Sequence, residues 1–356
     1  MIENIDSDGI AGGKIIVVSN RLPFVLKRDS SGNLSRHASA GGLVTAVAPV
    51  VVRNKGIWIG WPGIQLENPE ELIPESDPND KTPTAGLLSS QVVAVQVEPQ
   101  QFDSYYNGCC NRTFWPLFHS MPDRAVFSAD HWKVHTLFRK TLFAYDLIFC
   151  SHMIIRNDYC SIYKMRGIFL LIFECYCEDT IELVKQYKNV CDEMNLKCKI
   201  GFFLHIPFPP WDIFRLFPWA DEVLQGMLGC DMVGFHIEDY CLNFVDCCQR
   251  RLGCRVDRKG LLVEHGGRSV RVRPLPIGIP YERFVQLAES APAVLATSQQ
   301  VVLGVDRLDY TKGLVHRLRA FEILLEKYPQ HLEKISVPSR TDVKRIPGPE
   351  KRKWTS

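Results

Sequence analysis

The chain is expected to fold as an α/β protein built around a doubly wound parallel sheet. Short apolar runs of strand length recur along most of the sequence, and helical apolar patterns lie between several of them. In addition, Gly41-Gly42 and the stretch Val305 to Gly313 each sit near the start of a predicted helix, where such sheets receive ligands.

Lys14 to Ser19 is the first apolar run and ends in Asn20-Arg21-Leu22-Pro23. Gly41-Gly42-Leu43 then opens an amphipathic helix that Pro49 should kink or end. Further strands are predicted at Gly56 to Trp61, Gln91 to Val97, Lys199 to Ile206, Met232 to Ile237 and Val270 to Pro274. Between the last two, Asp239 to Leu252 places Cys241, Phe244, Val245 and Cys248 on one helical face. Val301 to Val305 reads as a buried strand, and Leu314, Val315, Leu318, Phe321, Leu324, Leu325 and Tyr328 recur on one face of a following helix. The loop Gln65 to Gly86, rich in proline and carboxylates, is expected to be an exposed, solvated excursion. Pro274, Pro276 and Pro280, with Gly278 between them, form the best domain boundary.

At 356 residues, with 46% hydrophobic and 23% charged residues, the chain can bury a sizeable core. Lys plus Arg number 42 against 40 Asp plus Glu, so no global field exists to attract nucleic acid or an anionic membrane. Any recognition of anions must be local. Met1 to Lys14 lacks a signal-peptide core, and Ile168 to Phe173 is too short to span a bilayer, so a soluble cytoplasmic protein is expected. Thirteen cysteines, an odd number without zinc-type spacing, predict reduced thiols packed as small hydrophobes and no metal site.

No Gly-x-Gly-x-x-Gly fingerprint, P-loop or Gly-x-Ser-x-Gly elbow occurs. Arg307 and Lys312 bracket a strand-to-helix junction, where free N–H groups, the helix dipole and two cations suit a diphosphate or phosphate ester. A solvated surface pair is the plainer alternative. Gly41-Gly42 gives room for close approach of a phosphate, with Arg21 as a partner, or else a simple turn. Tyr105-Tyr106-Asn107-Gly108 and Trp115-Pro116-Leu117-Phe118-His119 mix amphipathic aromatics with polar groups, as sugar sites and cores both do. His205 interrupts the run Ile200 to Ile206 and either points into the crevice beyond the strand ends or is a satisfied core histidine.

Taken in order, several segments resemble the trehalose-6-phosphate synthase family of retaining glycosyltransferases. They are Val17-Val18-Ser19-Asn20-Arg21-Leu22-Pro23, Ser39-Ala40-Gly41-Gly42-Leu43, Trp58-Ile59-Gly60-Trp61 and Tyr105-Tyr106-Asn107-Gly108 with Trp115-Pro116. Gly201 to Pro209, Pro276-Ile277-Gly278-Ile279, Asp306 to Gly313 and Ser339-Arg340-Thr341-Asp342-Val343 continue the series. The resemblance implies the GT-B fold, with two facing Rossmann-like domains. It implies transfer of glucose from UDP-glucose to glucose-6-phosphate, giving trehalose 6-phosphate and UDP, with no cofactor beyond the donor substrate. By the same resemblance, Arg21, Tyr106, Trp115 and Arg340 bind the acceptor and its phosphate. Gly41 and Gly42 meet the donor, Arg307 and Lys312 hold its diphosphate, and His205 lies near the transferring glucose.

The domain layout expected on this basis is a tail over 1–13, an N-terminal Rossmann-like acceptor domain over 14–298, and the incomplete start of the donor domain over 299–356. Within the first domain, residues 136–180 are atypical: the family's Trp-x-His-Asp-Tyr-His-type strand has no counterpart, so one acceptor contact and a central strand are expected to be lost. The resemblance stops after Lys344, which implies a truncated donor domain. Two readings follow: a synthase whose chain is truncated and locally altered, or an inactive protein that binds a sugar phosphate or associates with a complete synthase subunit as a regulator.

Overall fold

Most of the predicted apolar runs stand side by side in one sheet. In the computed structural model the described residues are 13–39, 41–68, 71–77, 79, 82–134, 167–173, 198–291, 300–307, 309–332, 334–336 and 339–342. The chain divides into two compact units, Met1–Ile279 and Pro280–Ser356. The division falls inside the proline-punctuated stretch, so the helix of residues 281–290 belongs to the second unit.

The strands of the first unit are β1 (Gly13–Arg21), β2 (Phe24–Arg28), β3 (Leu34–Ala38), β4 (Ile57–Trp61), β5 (Val92–Ala94) and β6 (Gly167–Phe173). They continue with β7 (Cys198–Phe203), β8 (Met232–Phe235), β9 (Arg255–Asp257), β10 (Leu262–His265) and β11 (Arg268–Pro274). Nine of them form a sheet in the order β5-β4-β1-β6-β7-β8-β11-β10-β9. From β5 to β11 every neighbour is parallel, and β10 and β9 close the edge antiparallel. β2 and β3 make a separate hairpin.

The expected loss of a central strand is corrected by β6. It lies between β1 and β7, with Ile15 opposite Phe169 and Leu170 opposite Ile200. The run Gly167-Ile168-Phe169-Leu170-Leu171-Ile172-Phe173 is continuously apolar, which suits a parallel strand covered on both faces even though it lacks the family motif.

Alternation along β1 divides the core in two. Ile16 and Val18 pack with Ile59, Tyr105, Phe114, Phe208 and Phe235 on one face. Ile15 and Val17 pack with Phe24, Ala48, Val51 and Trp58 on the other. Helix α1 (Gly42–Arg53) covers the second face through Ala48 and Val51. It runs on through Pro49, because one missing ladder bond is outweighed by that burial. On the opposite face lie α2 (Ala220–Leu228) and α3 (Glu238–Leu252). The predicted residues Cys241, Phe244, Val245 and Cys248 are buried in α3, which Glu238 and Asp239 open and a left-handed Gly253 ends.

The loop after β4 is less free than its composition suggests. Leu66 and Thr84 are buried, Glu71 is ion-paired with Arg28 at 2.8 Å, and Arg36 donates to the carbonyls of Pro74 and Leu87 at 3.2 and 3.0 Å. Side-chain anchors and a few apolar residues thus hold a segment that hydrophilicity alone would release.

The second unit holds α4 (Tyr281–Ser290), β12 (Gln300–Val301), β13 (Gly304–Arg307), α5 (Leu314–Lys327), β14 (Ile335–Ser336) and β15 (Ser339–Asp342). The single buried strand expected over Val301 to Val305 is instead two short ones, paired with β14 and β15. Val302, Leu303 and Val305 are exposed by 47%, 69% and 66%. Two-stranded sheets have too few neighbours to bury both faces of a strand. On α5, Leu314, Val315, Phe321, Leu324 and Leu325 are half-buried, whereas Leu318 and the following Tyr328 are exposed. Among the described residues no helix is long and apolar enough to cross a membrane.

Candidate functional site

The parallel strands bring their carboxyl ends to one edge of the sheet, where Arg21 ends β1 and His205 follows β7. Trp61 ends β4 and is the register partner of Arg21 after an irregularity that follows Val18. Gly60 permits this closeness: a Cβ on it would lie 2.7 Å from the carbonyl carbon of Arg21. Beneath Arg21, Ser19 donates to the Arg21 carbonyl at 2.7 Å and accepts from the Trp58 indole at 2.9 Å, fixing the strand end from the buried side.

The aromatic wall has three sources: Trp61 at the end of β4, Phe102 at the end of the short turn Pro99–Phe102, and Tyr106 in the π-helical segment Asp103–Phe114 that follows it. The guanidinium carbon of Arg21 lies 4.8 Å from the ring centre of Tyr106, 5.2 Å from Phe102 and 5.4 Å from Trp61. Such a cage attracts a cation through the negative ring faces, and a guanidinium is a planar fork of donors suited to a carboxylate or phosphate. Tyr105, which is fully buried, hydrogen-bonds the side chain of Asn20 and ties the segment to β1.

The structure therefore joins Arg21 with Tyr106. Trp115 begins a short helical turn at the far end of the π-helical segment, where its ring lies tilted by 34° against His119 with ring centres 4.2 Å apart and its carbonyl meets His119 Nδ1 at 2.7 Å. Trp61 and Phe102 were not singled out from sequence. Trp61 stood within a quoted motif, but a strand-end bulge decides where it faces; Phe102 gave no signal beyond its place ahead of Tyr105-Tyr106.

Gly41 and Gly42 open α1 beside His205. A Cβ on Gly42 would come within 3.8 Å of His205 Cε1, and one on Gly41 would enter open space. His205 lies two residues beyond β7, half-buried. Its carbonyl is 3.1 Å from His236 Nε2, which must carry the proton because a carbonyl only accepts. The two imidazoles stand edge to face at 4.9 Å.

In the second unit Arg307 ends β13, which pairs with β15 so that Val305 faces Arg340 and Arg307 faces Asp342. Lys312, exposed, closes the short turn Tyr310–Lys312, and Gly313 at φ 61° leads into α5. Asp309 shapes that turn by accepting from the Thr311 N–H and hydroxyl, both at 2.9 Å. Arg317 of α5 holds Asp306 at 2.6 Å. The two cations thus lie at a strand end and at the approach to a helix N-terminus, as their spacing predicts.

Cys109, Cys230, Cys241, Cys247, Cys248 and Cys254 are buried free thiols, and Cys110 is a half-buried one. Burial pushes the Cys241 thiol up to about 12 and raises Cys247, Cys248 and Cys254 as well.

An open parallel sheet that offers its carboxyl edge to ligands is shared with glycosyltransferases of the GT-B type, and the chain has that fold class. A Burkholderia multivorans alpha,alpha-trehalose 6-phosphate synthase structure matches with a TM-score of 0.67 at 27% identity, covering 92% of this chain and 63% of that one. An E. coli structure bound with UDP-2-fluoro glucose gives 0.69 at 25% identity, covering 94% and 66%.

The sequence match is narrower still: the model of glycosyltransferase family 20 covers residues 13–161 and 180–350, and the chain belongs to that family. Residues 162–179, which include β6, fall outside the match. The UDP-forming alpha,alpha-trehalose-phosphate synthase of Schizosaccharomyces pombe is 32% identical over 357 aligned positions, covering 96% of this chain. This chain spans 64% of the length of that relative.

Proposed function

We propose that the chain takes part in UDP-forming synthesis of trehalose 6-phosphate in the cytoplasm, transferring glucose from UDP-glucose to glucose-6-phosphate with retention of configuration. The observation that carries this reading is the Arg21 guanidinium held over Tyr106, Phe102 and Trp61 at the carboxyl edge of the sheet. A caged arginine beside aromatic rings suits an acceptor with a sugar face and a phosphate. The relatives named above supply the reaction.

In this reading Arg21, Tyr106, Trp115 and Arg340 bind the phosphorylated acceptor. Gly41 and Gly42 leave backbone room for the donor, with His205 beside the glucose being moved. Arg307 and Lys312 stabilise the charge that grows on UDP as its bond to glucose breaks. The acceptor hydroxyl attacks from the face the phosphate is leaving, and the departing phosphate takes its proton.

The test is UDP release by the purified chain, folded by circular dichroism. Release that requires both UDP-glucose and glucose-6-phosphate and is lost in Arg307→Ala supports the reading. Equal release without glucose-6-phosphate, or none from a folded chain, overturns it.

A further inference from the structure

The cage around Arg21 has an inner member set apart by burial. Phe102 is only 6% exposed, whereas Arg21 is exposed and Trp61 and Tyr106 are half-buried. Its ring stacks on Trp61 with centres 3.7 Å apart and 25° between planes, and on Tyr106 at 5.4 Å and 16°. It also meets Tyr105 edge-on at 6.3 Å. Phe102 thus touches both of the other rings that face Arg21, as well as Tyr105 behind them.

We propose that Phe102 is a positioning residue that sets Trp61 and Tyr106 at stacking intervals and so aims the Arg21 guanidinium at the phosphate of an incoming sugar phosphate. This rests on the reading of Arg21 as an acceptor ligand. An exposed arginine samples many rotamers, and fixing it when ligand arrives costs binding free energy. Ring faces that hold the cation beforehand remove part of that cost. Without Phe102 the charge of Arg21 and the hydroxyl of Tyr106 both remain, but the stack that orients them is gone. The residue thus governs preference for a phosphorylated over an unphosphorylated sugar.

The experiment uses the full chain with Phe102→Leu, Phe102→Tyr and Phe102→Met, the last filling similar volume without a ring face. Calorimetry with glucose-6-phosphate should show Phe102→Leu and Phe102→Met weakened by about three- to tenfold. Phe102→Tyr should bind like the natural chain, and UDP-glucose affinity should not change. In parallel, the Arg21 Nε–Hε resonance, assigned with Arg21→Lys, should move from a ring-shielded position towards the solvent value in the Leu and Met variants. A folded Leu or Met variant with unchanged affinity and an unmoved Arg21 resonance overturns the proposal. A natural chain that binds no glucose-6-phosphate overturns the acceptor reading instead, and the resonance still decides whether Phe102 positions Arg21.

Discussion

The guanidinium carbon of Arg21 stands 4.8 Å from the ring centre of Tyr106, so charge and aromatic face meet at the end of β1. Arg21→Ala should weaken glucose-6-phosphate binding by roughly ten- to a hundredfold, the value of hydrogen bonds to a charged group. Arg21→Lys should recover little, because a point charge neither stacks as a plane nor offers paired donors. Titration calorimetry of the three proteins checks both statements.

Gly60 is fixed by the backbone beside it. A Cβ there would lie 2.7 to 2.9 Å from the Arg21 carbonyl group and the Leu22 nitrogen. Gly60→Ala should therefore destabilise the chain by about 1–3 kcal/mol and weaken acceptor binding by moving Arg21. Urea denaturation measures the first effect and calorimetry the second.

Ser19 is 3% exposed, and Trp58 is fully buried. Ser19→Ala leaves the Trp58 indole N–H without the acceptor it has at 2.9 Å. The expected loss is about 1–3 kcal/mol in urea denaturation, with a shifted Trp fluorescence spectrum.

The thiols predict a pH response. Burial raises Cys241 to about 12, so the folded chain keeps its proton where an unfolded thiol, with an ordinary value of 9.0, loses it. The stabilising contribution is complete below pH 9.0 and is lost as pH rises towards about 12. At pH 8, Ellman's reagent should leave Cys241, Cys247 and Cys248 untouched until denaturant is added. Cys110, half-buried, should react before the buried Cys109, Cys230, Cys241, Cys247, Cys248 and Cys254.

Six strands of the large sheet, β1, β4, β5, β7, β8 and β11, were legible as apolar runs of the right length, and α3 because four buried residues share one face. β6 was hidden by its lack of the family motif, and the short edge strands β9 and β10 by their polar residues. The positions of Arg307 at a strand end and Lys312 ahead of a helix were legible from order alone, since both are local signals. The cage was not: Trp61, Phe102 and Arg21 lie on three separate segments, and only the strand pairing and the bulge after Val18 bring them together. Exposure of Val302, Leu303 and Val305 was equally hidden, because apolarity shows what would bury well and not whether enough neighbours are present. The anchoring of residues 66–84 depends on Arg28 and Arg36, which local composition cannot reveal.

The position of β6 sets an order of assembly. β1 is made early, yet Ile15 pairs with Phe169, which leaves the ribosome much later. Until then β1 has only β4 beside it, so its other edge must wait as an unpaired template. Contacts so far apart in sequence slow folding and lengthen the exposure of a sticky edge. During synthesis this chain should therefore depend on chaperone cover until residue 173 has emerged.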